Sequence, residues 1–301
     1  MQLPNKHRLA YIYIITGAAL WGTIGLYVDA LSEAGFTSLQ IVTLRVVSAS
    51  IFLVAYLLIK DRNKLIIEWK HSFYFIGTGI FSIVFFNWCY FTAIEEISLS
   101  IAVILLYTGP AFVVLMSSIF FGESMTSRKI AALLMTLAGC VLVIELLPLN
   151  QQSVSLYGVL IGLGSGFGYA LYTIFGKYAL RTYSSITVIT YTFVFASIAL
   201  IPVSNSPDII TGLGSLQTLL IVLALGLLPT ALAYLLYTVG LSLVEGGRAS
   251  ITATVEPVVA TLVGVAVFNE VLTVLQIIGI VMVLSAVILI QLGKSAGAPV
   301  S

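Results

Sequence analysis

The sequence predicts an all-α integral membrane protein: ten transmembrane helices as two inverted five-helix repeats, with the N- and C-termini cytoplasmic. Three observations predict it. First, 60% of the 301 residues are hydrophobic and only 8% are charged, whereas a soluble domain carries about 25% charge. Second, the chain divides into ten apolar runs, each near the roughly 20 residues needed to cross a bilayer. Third, the chain repeats itself. Pro110 is followed by Glu123, Pro257 by Glu270, and sliding the sequence by 147 positions aligns both pairs. The same shift, without a gap, aligns Gly79 with Gly226, Tyr90 with Tyr237, Phe121 with Phe268 and Thr126 with Thr273. Matched Pro, Glu, Tyr and Thr do not arise from apolar composition alone, so an internal duplication is read before anything else.

The apolar runs fall at 9–28, 37–59, 72–94, 98–121, 127–146, 157–180, 184–203, 216–240, 246–268 and 273–293. Helix is the default for each, because an open sheet edge leaves backbone groups unsatisfied in hydrocarbon. The connections are short, so neighbouring helices are antiparallel. The first repeat spans 9–146 and the second 157–293. Thr126 and Thr273 are placed to cap helices five and ten, and Thr273 with Gln276 makes a capping box. Small residues at four-residue spacing mark helix one (Gly17, Trp21, Gly22, Gly25) and helix six (Gly158, Gly162, Gly164, Gly166, Gly168, Gly176). They allow close helix packing or bending of a helix that lines a path. Cys89 and Cys140 lie inside apolar runs and read as small buried residues. No removable signal-peptide pattern is expected at the start.

Charge sets the orientation. Lys6, Arg8, Lys60, Arg62, Lys64, Lys70, Arg128, Lys129, Lys177, Arg181, Arg248 and Lys294 all fall on one side of a ten-helix path. That side is cytoplasmic by the positive-inside rule. The other side carries Asp29, Glu33, Glu95, Glu96, Glu145, Asp208 and Glu270, and only Arg45 is left unplaced. Five helices per half is an odd number, so the halves insert with opposite orientation. Inverted repeats of this kind are typical of secondary transporters, with a site near the midplane. A net charge of +1 gives no basic field for nucleic acid. The bilayer and a small-molecule substrate are the expected partners, with protons as a candidate coupling ion, in a monomer or homodimer.

Leu20–Trp21–Gly22 in helix one, Arg45 inside helix two, and the endings Pro110…Gly122–Glu123 and Glu256–Pro257…Asn269–Glu270 together resemble the drug/metabolite transporter superfamily, and within it the EamA-type ten-helix members. The resemblance covers nearly the whole chain. It implies a multi-pass carrier of a prokaryotic cell membrane, usually an exporter of amino acids or other small metabolites. Asn269 stands where the first half has Gly122, so that turn is expected to differ.

Glu256 is the first functional candidate. It lies about 14 Å from the cytoplasmic end at the helical rise per residue, near the middle of a hydrocarbon core of roughly 30 Å. An ionisable group there is costly and marks function by default. Pro257 beside it, and Pro110 in the first half, break the backbone ladder and free carbonyls. Arg45 lies about 11 Å deep from the outer side; it snorkels, meets a substrate or pairs with Glu256. A polar and aromatic set follows: Trp21, Asn87, Tyr107, Tyr169, Tyr172 and Tyr234, with Tyr90 and Tyr237 expected as interface anchors. The deeper members are expected to line a cavity and offer hydroxyls and flat faces to a substrate. Glu123 and Glu270, at matched turns on opposite faces, read as turn or helix-start devices.

No nucleotide-binding loop is present, so ATP is not expected to drive the protein. No cofactor and no metal is expected. A membrane enzyme would need a nucleophile or a cluster such as His-Glu-x-x-His, and none occurs in the helices. A sensor or structural subunit would need a soluble domain to signal through. The expected activity is therefore transport by alternating access, and the resemblance implies export of amino acids or related metabolites. The alternative is an uncoupled facilitator or exchanger of nucleosides, sugars or organic cations.

Overall fold

The computed structural model describes residues 4–144, 155–204, 209, 212–269 and 271–292. Glu145, Asp208, Glu270 and Lys294, used above for orientation, lie outside the described residues, as does the side chain of Lys6. Helices long and apolar enough to span a bilayer are α1 His7–Glu33, α2 Ser38–Lys60, α3 Trp69–Glu96 and α4 Leu99–Phe121. After α5 Ser127–Val143, which has 17 described helical residues, come α6 Leu156–Ala179, α7 Ser185–Val203, α8 Leu216–Leu241, α9 Gly246–Phe268 and α10 Val274–Gln291. No strand occurs among the described residues.

Helix starts are built from hydroxyl caps, which satisfy backbone N–H groups that have no partner within the helix. Thr37, Thr126, Ser155, Ser184, Ser215 and Thr273 each accept a backbone N–H at the head of their helices. Thr273 and Gln276 form the capping box.

The irregularities repeat as faithfully as the sequence. α3 passes through a π-helical segment at Gly77–Val84 and α8 through one at Leu227–Leu232. α4 breaks between Leu106 and Gly109, and α9 at Thr254. Gly122 and Asn269 both end their helices in the left-handed region, at φ 65 and 57. The expected difference at Asn269 is thus corrected for the cap residue: asparagine tolerates this conformation through its short polar side chain, and the left-handed cap is kept.

The halves are interleaved. α1 packs on α8 and α9, and α6 packs on α3 and α4. The matched glycines make reciprocal crossings: Gly79 of α3 lies on the α7 backbone at Thr192, and Gly226 of α8 on α2 at Ser48 and Ala49. The glycines of α6 act in packing. Gly162 and Gly166 face α4, Gly164 and Gly168 face α3, Gly158 lies against the connection between them at Glu96 and Ile97, and the helix runs unbroken. α1 is interrupted at Thr23, next to Trp21.

α5 and α10 cross at Gly139 and Gly279. A Cβ on Gly279 would stand 2.7 Å from the Gly139 carbonyl oxygen, and one on Gly139 would stand 2.9 Å from that of Gly279. Gly279→Leu is therefore expected to destabilise the protein by about 1–3 kcal/mol, the usual cost of overpacking, whereas Gly25→Ala, with no atom within 4 Å of the new methyl, leaves stability unchanged. Thermal unfolding in detergent checks the pair.

Candidate functional site

Beside the two helix breaks, and just past the two π-helical segments, the bundle encloses a cavity of about 1070 Å³. It reaches one end of the bundle, the mouth, at Phe36–Ser38, Glu95, Leu99 and Phe268. At the other limit its lining stops at Trp21, Tyr169 and Tyr234. The structure brings Glu256, Arg45, Trp21, Asn87, Tyr107, Tyr169, Tyr234 and Pro110 to this one lining, and leaves Pro257 out of it. Pro257 is buried within α9, one residue behind Glu256.

Local backbone chemistry places each group. Asn87 and Tyr234, which the 147-residue shift matches, follow the two π-helical segments. Wide turns of this kind re-aim the residues after them and are frequent at functional sites. The Asn87 amide donates to the Ile83 carbonyl at 2.7 Å, which orients its amide group. The helix breaks are satisfied by threonines: Thr108 Oγ1 donates to the Leu105 carbonyl and Thr254 Oγ1 to the Ile251 carbonyl at 2.6 Å. Ala253, Thr254 and Glu256 then line the cavity together.

α1 reaches the site because Gly22 lets it lie on the Glu256 carbonyl, where a Cβ would come to 2.8 Å. This seats Trp21 between Tyr234, at 4.9 Å between ring centroids, and Tyr237, at 5.2 Å. Trp21 Nε1 and Arg45 Nε are buried without a hydrogen-bond partner. Such donors are costly to leave unmet. Among the described residues the ion pairs are those of Asp61, Glu68, Glu123 and Glu245. Arg45 and Glu256 therefore share the cavity, within electrostatic reach of each other, without closing an ion pair. Of the alternatives open for Arg45, snorkelling is the one the structure does not show: the residue is 8% exposed and faces the interior.

Beyond the cavity the interior closes. Tyr172 and Thr238 are hydrogen-bonded at 2.6 Å, and Thr173 and Tyr237 at 2.8 Å. Tyr237, 1% exposed, is part of this floor and not an interface anchor. Its match Tyr90 lines the cavity instead. Sequence reasoning placed both near a membrane face because their partners come from helices distant in the chain. It also passed over a buried ion cluster at the closed end, formed by Glu123, Lys129, Lys177, Glu245 and Arg248. The doublet Gly246–Gly247 directly after an acid was the one signal for it.

A polytopic helical bundle with an interior polar cavity, reached from one end and closed at the other, has the architecture of a membrane carrier. The EamA-like transporter family matches residues 8–145 and again 156–292, and the chain belongs to that family. A protein of Archaeoglobus fulgidus named as an uncharacterized transporter is 28% identical over 92% of this chain and 94% of its own length. The uncharacterized transporter YwfM of Bacillus subtilis is 25% identical over 95% of each. The threonine/homoserine exporter RhtA of Salmonella typhimurium is 28% identical over 66% of this chain and 65% of its own. A solved crystal structure superposes with a TM-score of 0.76 over 93% of this chain and 95% of the other at 20% identity, which speaks to the fold. The chain is a multi-pass membrane transporter.

A cysteine at Gly25, on the cavity wall and facing open space, is expected to react with a polar maleimide in a Cys89→Ala/Cys140→Ala background. One at Ser165, fully buried in α6, is expected not to react. Mass spectrometry of the labelled protein distinguishes the two.

Proposed function

We propose that this transporter exports small zwitterionic metabolites, amino acids among them, across a prokaryotic cell membrane by alternating access. The observation that carries the reading is the open pair: the Glu256 carboxyl and the Arg45 guanidinium line one cavity with no ion pair between them. A buried charge is tolerated when it is paired, and a zwitterion placed between the two supplies both partners. Its ammonium group goes to Glu256. Its carboxylate goes to Arg45, whose guanidinium suits that geometry, and the Trp21 indole N–H adds a further donor. Tyr107, Tyr169 and Tyr234 offer apolar faces to the substrate side chain. RhtA, named for threonine and homoserine, supports this chemistry as a distant relative.

The two repeats, 9–146 and 157–293, rock against each other around the site. Glu256 also serves as the proton-exchanging group if transport is proton-coupled. With the N terminus cytoplasmic, the mouth at Phe36–Ser38 faces outward. The protein works as a monomer or homodimer. The aromatic walls favour one alternative, an uncoupled facilitator or exchanger of flat solutes such as nucleosides or organic cations, which stack on tyrosine.

Proteoliposomes containing the purified protein are expected to take up labelled amino acids, faster with an imposed proton gradient. Glu256→Gln and Arg45→Gln are each expected to cut this flux by about tenfold or more, since a hydrogen bond to a charged group is worth roughly 1.5–3 kcal/mol. Full flux with unchanged gradient dependence in Glu256→Gln removes that residue from the mechanism. Flux of nucleosides or organic cations without amino-acid flux selects the alternative.

A further inference from the structure

The ion cluster at the closed end joins the two halves. Glu123 and Lys129 come from the turn after α4 and the first turn of α5. Lys177 ends α6, and Glu245 and Arg248 sit at the head of α9. Lys129, 2% exposed, holds Glu123 Oε2 at 3.3 Å and Glu245 Oε2 at 2.9 Å. Lys177 lies 3.7 Å from Glu123 Oε1 and donates to the Val244 carbonyl at 2.8 Å. Arg248 Nε holds Glu245 Oε2 at 3.2 Å, and its guanidinium also reaches the Ile290 carbonyl of α10 at 3.2 Å.

The Glu123 carboxylate does more than pair. It accepts the backbone N–H of Gly246 at 2.6 Å and of Gly247 at 3.1 Å. These are orphan donors of the first turn of α9, at the positive end of its dipole. Glycine is needed for the approach: a Cβ on Gly246 would stand 2.8 Å from Ser117 Oγ. A residue of the first half thus caps the broken helix that carries Glu256 in the second.

The mouth has no counterpart. Under the 147-residue shift, Glu245, Gly246, Gly247 and Arg248 correspond to Ser98, Leu99, Ser100 and Ile101, and Lys129 corresponds to Gln276. There Ser98 caps α4 with its own hydroxyl, and no cation stands at any of these positions. Among the described residues, the duplicated scaffold carries a charged clasp at one end only.

We infer that this cluster is the latch of the transport cycle, and that Glu123 is a positioning residue that decides which end of the cavity is open. The inference rests on the alternating-access reading above. While the cavity is open at the mouth, the latch binds α4, α5, α6 and α9 together at the other end. To open that end, the Gly246 and Gly247 N–H groups must leave Glu123 and the buried pairs must separate. Buried charges part at high cost unless water or new partners replace them, so the latch biases the resting protein toward the open mouth.

The test uses two reporters in the full chain with Cys89→Ala and Cys140→Ala: Ser117→Cys beside the latch, and Gly25→Cys at the cavity wall. Each is labelled with a polar maleimide, with and without Glu123→Gln. The expected result is reciprocal: labelling at 117 rises by about tenfold or more while labelling at 25 falls, as a shift between two states requires. Lys177→Gln, which removes the longest and most exposed pair, is expected to act in the same direction but less. If Glu123→Gln is not recovered as monodisperse protein, Lys177→Gln decides alone. Unchanged labelling at 117, or a rise at both reporters as in general loosening, overturns the latch. Labelling needs no solute, so failure of the amino-acid flux experiment leaves this result to stand separately.

Discussion

In hydrocarbon a backbone N–H or C=O that finds no partner costs several kcal/mol, and the rest of this structure follows from that constraint. It makes every spanning element a helix, and it makes any departure from regular helix a choice about location. The departures here lie in the interior: π-helical turns in α3 and α8, and breaks in α4 and α9. Each is repaired locally. Thr230 Oγ1 donates to the Leu225 carbonyl five residues back, inside the second π-helical segment. Thr108 and Thr254 do the same at the two breaks. Because irregular backbone is tolerated only where protein or water covers it, the four irregular helices converge, and the cavity lies where they meet.

The same logic separates the two charged groups of the interior. At the closed end, five charged residues and a helix N-terminus satisfy one another at distances from 2.6 to 3.7 Å. In the cavity, Arg45 and Glu256 close no ion pair, and Arg45 Nε and Trp21 Nε1 are left without partners. One arrangement is complete in itself and suits a contact between elements. The other is incomplete, and its missing partner has the chemistry of a ligand or of water. Burial alone does not tell these apart; satisfaction does.

Much of the fold was legible in the sequence because membrane physics writes it in composition and period. Ten apolar runs and a gapless repeat required no tertiary information. The polar residues of the cavity were legible as candidates for the same reason: Glu256, Arg45 and Asn87 stand out in apolar surroundings. The closed-end cluster was not. Lys129, Lys177 and Arg248 sit at helix ends, where a cation is ordinarily solvated and counts toward the positive-inside pattern. Only packing of α4, α5, α6 and α9 buries them. The π-helical segments Gly77–Val84 and Leu227–Leu232 were not read from the apolar period, although Gly77, Gly79 and Pro229 lie in them. Tyr90 and Tyr237 show the remaining limit. They are matched in sequence, yet one lines the cavity and the other bonds Thr173 across the floor.

That last pair points to how a duplicated scaffold becomes asymmetric. Two identical inverted halves would offer the same surface to both sides of the membrane and would make both ends of a central cavity equivalent. Here the backbone keeps the symmetry down to the left-handed residues at Gly122 and Asn269, while a few side chains abandon it. Glu256 has Gly109 as its counterpart, Tyr234 has Asn87, and Lys129 has Gln276. The first two differences polarise the cavity, and the third is part of the difference between its ends. Fold is thus carried by residues that repeat, and the difference between the two ends by residues that do not. A duplicated scaffold can therefore differentiate its two ends through substitutions at a few interior positions, without altering any helix that crosses the bilayer.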